Sequence, residues 1–323
     1  MRALVTGGTG FVGSHLVEAL HRRGDTVTAL VRSPRKAASL ERLGARIVAG
    51  DLHAPAALAA AVEGQDVVYH VAGLVAARDE AEFLRANRDG TAALLAAAER
   101  GGASPRFVLV SSMAAGGPSP RGTPLRGEAP ARPVTAYGRS KLAAEEVVRR
   151  AGIPWTIVRP PTVYGPRDVE VLKVFRIARS GIGPVFGDGS QELSAVHAGD
   201  LADALIAAGT SGGAAGRTYY ACHPEIFTSA ELVRRIGAAM GRRVTLVRIP
   251  LPVGRAALAV TELAARIARQ ATILTRDKAN EFFQEAWTGD PAPLTRDTGW
   301  TAGRDLTAGL AETYAWYRAE GWL

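Results

Sequence analysis

The sequence predicts a doubly wound α/β fold, in which helices cover both faces of a parallel sheet and a smaller C-terminal lobe follows. Three observations carry this reading. Short apolar runs alternate with helix-patterned segments from the first residue onward. A glycine triplet stands where the first run gives way to the first helix. The 323 residues exceed what one core needs, yet fall short of two independent domains.

The runs are, in order, "RALVT", "TVTALV", "RIVA", "DVVYHVA", "RFVLVSS" and "WTIVR". Each is short and mostly apolar, the pattern of strands buried on both faces of a sheet. "TYYA" at 218–221 adds a further strand, with "GDLADALIAAG" as the helix before it. The stretch "GGPSPRGTPLRGEAPARPVT" at 116–135 is rich in Pro and Gly and has no periodicity, so it reads as a long loop of the kind that carries function in compact domains. Residues 1–165 are therefore expected to form the dinucleotide-binding sheet domain, completed by about 192–221. Residues 166–191 and 222–323 are expected to form the substrate-binding lobe. Within that lobe, "LPVGRAALAVTELAARIARQ" is interrupted by Arg255, Glu262 and Arg266, which makes it an amphipathic, partly buried helix and no membrane span.

Hydrophobic residues at 47% and charged residues at 22% are those of a folded globular chain. The net charge of +8 comes from arginines scattered among Ala and Gly, with no basic run interleaved with aromatics, so no nucleic-acid partner is expected. The single cysteine, Cys222, excludes an internal disulfide and lacks the neighbours of a metal site, which fits a reducing, cytoplasmic setting. "MRALVTGGTG" carries no apolar signal core, and no membrane partner is expected.

"LVTGGTGFVGSHLVEAL" places Gly7, Gly10 and Gly13 between the first strand and the first helix. The first glycine permits a tight turn, the second lets backbone N–H groups approach a pyrophosphate, and the third lets the helix pack on the strand. The helix N-terminus then meets the anion with its partial positive charge. This marks the fold as Rossmann-type. After the second strand, where binders of the unphosphorylated cofactor place an acid for the ribose 2′-hydroxyl, stand Arg32, Arg35 and Lys36. Cations there match a 2′-phosphate, so NADP(H) is expected in preference to NAD(H). Asp51 and Leu52 of "GDLHAP" fall where the adenine would lie, although Asp51 alone could be a helix cap.

The fifth strand ends in "VLVSSMAAGG", which puts Ser111 and Ser112 at the carboxyl end of the sheet, the edge at which such folds bind ligands. One loop later, Tyr137 and Lys141 are four apart and share a helix face. A tyrosine is a poor acid or base near neutrality unless its pKa is lowered, which a lysine ammonium could do. A serine hydroxyl beside it would hold the substrate oxygen while the tyrosine gives or takes a proton.

In order along the chain, "TGGTGFVG", "GDL", "HVAG", "NRDGT", "VSSMAAGG", "YGRSK" and "RPPTVYGP" resemble the extended short-chain dehydrogenase/reductase family. The resemblance covers residues 1 to about 205 closely and the rest loosely. It implies that Thr9, Gly10, Phe11 and Val12 lie along the pyrophosphate, that Val71, Ala72 and Gly73 close over the adenosine side, and that Asn87 helps anchor the cofactor. It further implies that Pro160 to Val163 face the nicotinamide and that Ser112, Tyr137 and Lys141 are the catalytic three. His70, on a buried strand, reads as a core histidine, and His197 as a residue that could reach substrate.

Family members reduce or oxidise carbonyls, epimerise sugars or dehydrate. Met113 and Ala114 follow Ser112 where dehydratases carry an acid pair, so dehydration is not expected. Arg32 and Lys36 suggest the phosphorylated cofactor, where epimerases usually hold the unphosphorylated one, and "SSMAAGG" resembles the 3β-hydroxysteroid dehydrogenase and dihydroflavonol reductase branch, whereas the C-terminal tail resembles nucleotide-sugar epimerases. The leading expectation is an NADP(H)-dependent oxidoreductase interconverting a secondary alcohol and a carbonyl on a small-molecule substrate. A sugar epimerase and a non-catalytic dinucleotide sensor are the alternatives. "EFLRANRDGTAALLAAAER" and "SKLAAEEVVRRA" carry Ala and Leu at helical spacing, as a homodimer seam would.

Overall fold

Every second side chain of a buried strand faces the same layer, so the strand runs should feed two separate cores. The computed structural model of the chain, which describes residues 1–101, 104–267, 272 and 275–323, has this arrangement. The first half alternates strand and helix: β1 (Arg2–Thr6), α1 (Phe11–Arg22), β2 (Thr26–Val31), α2 (Ala38–Arg42), β3 (Arg46–Ala49), α3 (Pro55–Val62) and β4 (Val67–His70). It continues with α4 (Glu80–Leu84), α5 (Gly90–Arg100), β5 (Arg106–Val110), α6 (Met113–Gly116), α7 (Ala136–Arg149), β6 (Trp155–Arg159) and β7 (Thr162–Tyr164). The second half holds α8 (Glu170–Ala178), β8 (Ile182–Phe186), β9 (Glu192–Leu193), β10 (Ala195–His197), α9 (Ala198–Thr210), β11 (Arg217–Tyr220) and β12 (Phe227–Thr228). It ends with α10 (Ser229–Ala239), β13 (Thr245–Ile249), α11 (Leu251–Ile267), α12 (Arg276–Phe282), β14 (Ala286–Trp287), α13 (Ala292–Thr298) and α14 (Leu306–Ala319).

Seven strands form one parallel sheet in the order β11-β6-β5-β4-β1-β2-β3. The order reverses between β1 and β4, and this is where a doubly wound sheet opens its ligand crevice. Side chains alternate between layers as the pleat requires. Ala3 and Val5 join Val67, Val108 and Leu205 on one face, while Leu4 joins Val68, Phe107 and Leu94 on the other. Each large side chain buried in these layers contributes roughly 1.5–3 kcal/mol. A separate core, around Phe175, Ile236, Leu310 and Tyr317, lies in the second half.

The loop at 116–135 has few backbone bonds of its own. It is tied down at its middle, where Leu125 bridges Gly289, and Ser119 Oγ lies 2.8 Å from Thr288 Oγ1. The expected helix at 251–270 is α11, whose last three expected residues lie outside the described ones. Helices α4, α5 and α7 of the expected dimer seam lie side by side in the chain, linked at Arg139 Nε to Glu80 Oε1 over 2.7 Å. Among the described residues, no helix is long and apolar enough to cross a membrane. None of their His, Cys, Asp and Glu side chains form a group that could hold a metal ion.

Candidate active site

The turn from β1 into α1 crosses under the loop after β4. Gly7 adopts φ +73, and a Cβ there would stand 2.8 Å from the backbone nitrogen of Ala72. At Gly13 a Cβ would come within 2.1 Å of the Gly7 carbonyl oxygen, so the helix could not approach the strand. Only glycine satisfies both demands. Gly10 begins α1 without any side-chain cap, and the first turn carries no acidic residue. The result is a helix N-terminus with free donors and an uncompensated partial positive charge, open to an anion. Thr9 and Gly10 are exposed, and Phe11 and Val12 are half-buried beside them. These residues fit a dinucleotide's pyrophosphate.

Arg32 follows β2 directly, and Arg35 and Lys36 lie in the short turn after it, all three exposed. None of the three has an ion-pair partner among the described residues. Asp51 does not cap α3, whose first position follows Ala54; instead its carboxylate accepts from the His53 amide at 2.8 Å. Leu52 packs against Gly90. Val71, Ala72 and Gly73 form the loop after β4, opposite Gly7.

Asn87 lies in a π-turn, Arg85–Asp89, between α4 and α5, a distortion often found at functional sites. Buried there, its side-chain amide accepts from the Leu74 amide at 2.8 Å and donates to Leu74 O at 3.1 Å and Ser140 Oγ at 2.9 Å. It therefore clamps the loop after β4 to α7. His70 is a core histidine, held between Thr6 Oγ1 at 2.7 Å and Thr91 Oγ1 at 2.9 Å, and burial pushes its pKa down to about 3.

Ser112 follows β5 and caps α6, accepting from the Ala114 amide at 3.1 Å. Thr135 caps α7 in the same way, at 3.1 Å from the Gly138 amide, so Tyr137 falls in the first turn and Lys141 one turn on. Ser112 stands close enough to Tyr137 to act on its phenol. Burial pushes the Tyr137 phenol up to about 12, the hydrogen bond to Ser112 pulls it down, and Glu281 raises it further. Burial also pushes Lys141 down to about 8, partly offset by Glu145. Lys141 Nζ donates to Val110 O at 2.7 Å and stands 3.5 Å from where a Cβ on Gly73 would be. The expectation that Lys141 lowers the tyrosine does not describe the largest influences on it: desolvation dominates, and the named downward pull comes from Ser112. Pro160 accepts from the Met113 amide at 2.8 Å, placing the turn after β6 against α6, while Val163 packs into the sheet core.

Several neighbours were not foreseen. Ser111 donates to Glu145 at 2.6 Å, and Glu145 also receives Arg159 at 2.7 and 2.8 Å, both groups fully buried. The spacing of Lys141, Glu145 and Arg149, each four apart, is the one sequence signal that could have exposed this network. Helix α12 roofs the site: Thr135 donates to Glu281 at 2.7 Å, the Ala136 amide to Asp277 at 2.7 Å, and Lys278 Nζ lies 5.8 Å from the Tyr137 ring centre. Phe83 packs on the same ring at 5.9 Å. No local pattern announces a contact between residues 146 apart in the chain. His197 lies elsewhere, with Nδ1 accepting from the Gly199 amide at 3.2 Å and its ring edge-on to Tyr164. A cavity of about 460 Å³ opens beside Cys222, Ile226, Asp290 and Trp300, and Ser112, Tyr137 and Lys141 do not line it.

A parallel sheet with an anion-ready glycine turn at its switch point and a hydroxyl pair beside a lysine at its carboxyl edge is the plan of a dinucleotide-dependent enzyme. Comparison with known proteins agrees. Over 320 residues the chain is 35% identical to a ceramide reductase of Caulobacter vibrioides, covering 99% of this chain and 95% of that one. The solved structure of gox2253 superposes with a TM-score of 0.83 at 27% identity, covering 99% and 98% of the two chains. That of MoeE5 in complex with UDP-glucose and NAD superposes at 0.79 and 25% identity, covering 99% of each. The chain belongs to the NAD dependent epimerase/dehydratase family, whose sequence profile matches residues 3–222. It is an NAD(P)-dependent enzyme of the extended short-chain dehydrogenase/reductase type.

Proposed function

We propose that this enzyme reduces a ketone to a secondary alcohol with NADPH, and that the ketone belongs to a long-chain, lipid-like molecule. The observation that carries the reaction is the pairing of Tyr137 with Ser112. A phenol that burial holds up at about 12 keeps its proton at neutral pH and can donate it to a carbonyl oxygen. The lipid class rests on the near full-length relative named as a ceramide reductase.

Gly7, Gly10, Gly13 and the first turn of α1 would hold the pyrophosphate, with Asn87 and Gly73 alongside and Pro160 to Val163 near the nicotinamide. The dinucleotide, when bound, supplies the hydride. The chain's own part is positional and protonic. Ser112 donates a hydrogen bond to the substrate oxygen, Tyr137 delivers the proton to the same atom, and Lys141 supplies a positive charge that favours the phenolate left behind.

Two outcomes follow. Arg32 and Lys36 are free to meet a 2′-phosphate, and each charge-assisted hydrogen bond contributes roughly 1.5–3 kcal/mol. Arg32→Asp with Lys36→Ala is therefore expected to lower kcat/KM for NADPH by about tenfold or more while sparing NADH. Steady-state rates with each cofactor check this, and equal losses with both would contradict it. The second outcome concerns pH. Lys141 is pushed down to about 8, so its ammonium is lost as pH rises through that value. The pH profile of kcat/KM for reduction should be level below it and fall above it, with Tyr137 protonated throughout. A profile level across that pH would remove Lys141 from the reaction.

A UDP-sugar epimerase remains the competing assignment, because MoeE5 was solved with UDP-glucose. Screening ketones and UDP-sugars side by side, with nicotinamide absorbance as the readout, separates the two.

A further inference from the structure

A helix on the surface of a globular protein ordinarily turns charge toward water. Helix α11 does the reverse. Val253, Ala256, Val260 and Leu263 recur at helical spacing on one side, and Val253 is 57%, Val260 67% and Leu263 59% exposed. Gly254 and Leu258 are buried on the opposite side. The two charged residues among 251–264 turn toward α12 and the segment following it: Arg255 stacks 5.4 Å over the Phe283 ring, and Glu262 accepts from the Arg276 amide at 2.8 Å. Val253, Ala256, Val260 and Leu263 thus form an exposed apolar strip, with exposed Arg255 and Thr261 beside it among the described side chains. Val247 on β13 and Leu251 are likewise exposed, so the segment holds five of the large apolar side chains exposed among the described residues.

We propose that α11 lies in the interface of an anionic lipid bilayer, and this goes beyond the reaction assigned above. Charge selects the occupant. Residues 242–263 contain four arginines, Arg242, Arg243, Arg248 and Arg255, against Glu262 alone, in a chain of net charge +8. Arg242, Arg243 and Arg248 are exposed on the approach to the helix. An uncharged apolar face bordered by arginines matches acyl chains bordered by anionic headgroups. Its 17 residues form a rod about 26 Å long, suited to lying in the plane of the membrane.

The placement also links the membrane to the chemistry. The inward side of α11 packs at Gly254 against Phe186 and Phe283, and Phe186 stacks on Phe282 at 5.7 Å. Phe282 ends α12, the helix that roofs Tyr137 through Asp277, Lys278 and Glu281. A docked α11 thus sets the roof of the site at the bilayer surface.

Cosedimentation with vesicles tests this. The intact protein should pellet with vesicles of mixed phosphatidylglycerol and phosphatidylcholine, pellet far less with phosphatidylcholine alone, and be released by salt. Val253→Glu with Val260→Glu should reduce binding about tenfold or more, and Arg242→Glu with Arg243→Glu should reduce it at low salt. NADPH titration of both variants, unchanged from the parent, shows that they are folded. Failure of the parent to bind anionic vesicles at low salt overturns the proposal, as does full binding by the Val253→Glu, Val260→Glu variant. So does a parent that ignores vesicles and is a dimer dissociated by those substitutions, which would make this face a contact between copies. Ketone reduction without vesicle binding refutes the docking alone, and vesicle binding without any ketone reduction refutes the reaction alone.

Discussion

Tyr137→Phe is expected to lower kcat for ketone reduction by about a hundred- to ten-thousandfold, the usual contribution of a positioned general acid. The substitution removes one oxygen and leaves the ring, so the packing against Phe83 and beneath Lys278 persists. Folding and NADPH binding should be unchanged. Ser112→Ala should cost a similar order. The double variant should lose little more than either single one, because the two hydroxyls act on the same substrate oxygen. A Tyr137→Phe enzyme within about threefold of the parent would show that the proton comes from elsewhere.

The second large effect concerns stability. Glu145 and Arg159 are 0% and 1% exposed, and Ser111, Arg149 and Tyr220 complete their hydrogen bonding. Burial opposes the Arg159 charge, but Glu145 more than compensates and holds the guanidinium firmly protonated. Glu145→Ala leaves that charge buried without its carboxylate, and breaking such a pair costs about 3–5 kcal/mol. Denaturant unfolding should show the loss. Glu145→Leu with Arg159→Met, which removes both charges and refills the space, should recover much of it. Equal midpoints for Glu145→Ala and the parent would mean that the pair does not hold the fold. Because Ser111 adjoins Ser112 and Arg159 precedes Pro160, the single variant should also lose activity through misplacement of the site.

The sheet was legible from the chain because its information is local. Buried parallel strands are short apolar runs, and the seven runs read from the sequence are the seven strands of the sheet. The glycine turn was legible for the same reason, since the steric demands at Gly7 and Gly13 admit one residue type. Ser112 and Thr135 were legible as helix caps, which start α6 just after β5 and place Tyr137 and Lys141 in the first two turns of α7. What stayed hidden depends on distant contacts. The roof of α12, the clamp of Asn87 onto Ser140 and the Glu145–Arg159 pair join residues whose proximity no spacing rule encodes. The outward face of α11 was hidden differently: its apolar residues were visible, but which side faces the protein is fixed by Gly254, Phe186 and Phe283.

Net reduction is the central assignment for the active site. The most direct measurement follows NADPH and product together, in one reaction of the purified enzyme with a long-chain ketone. Oxidation of one NADPH for each secondary alcohol formed, abolished in Tyr137→Phe, is the expected result. Conversion of a UDP-sugar to its epimer with no change in nicotinamide absorbance, and no ketone reduced, would contradict it.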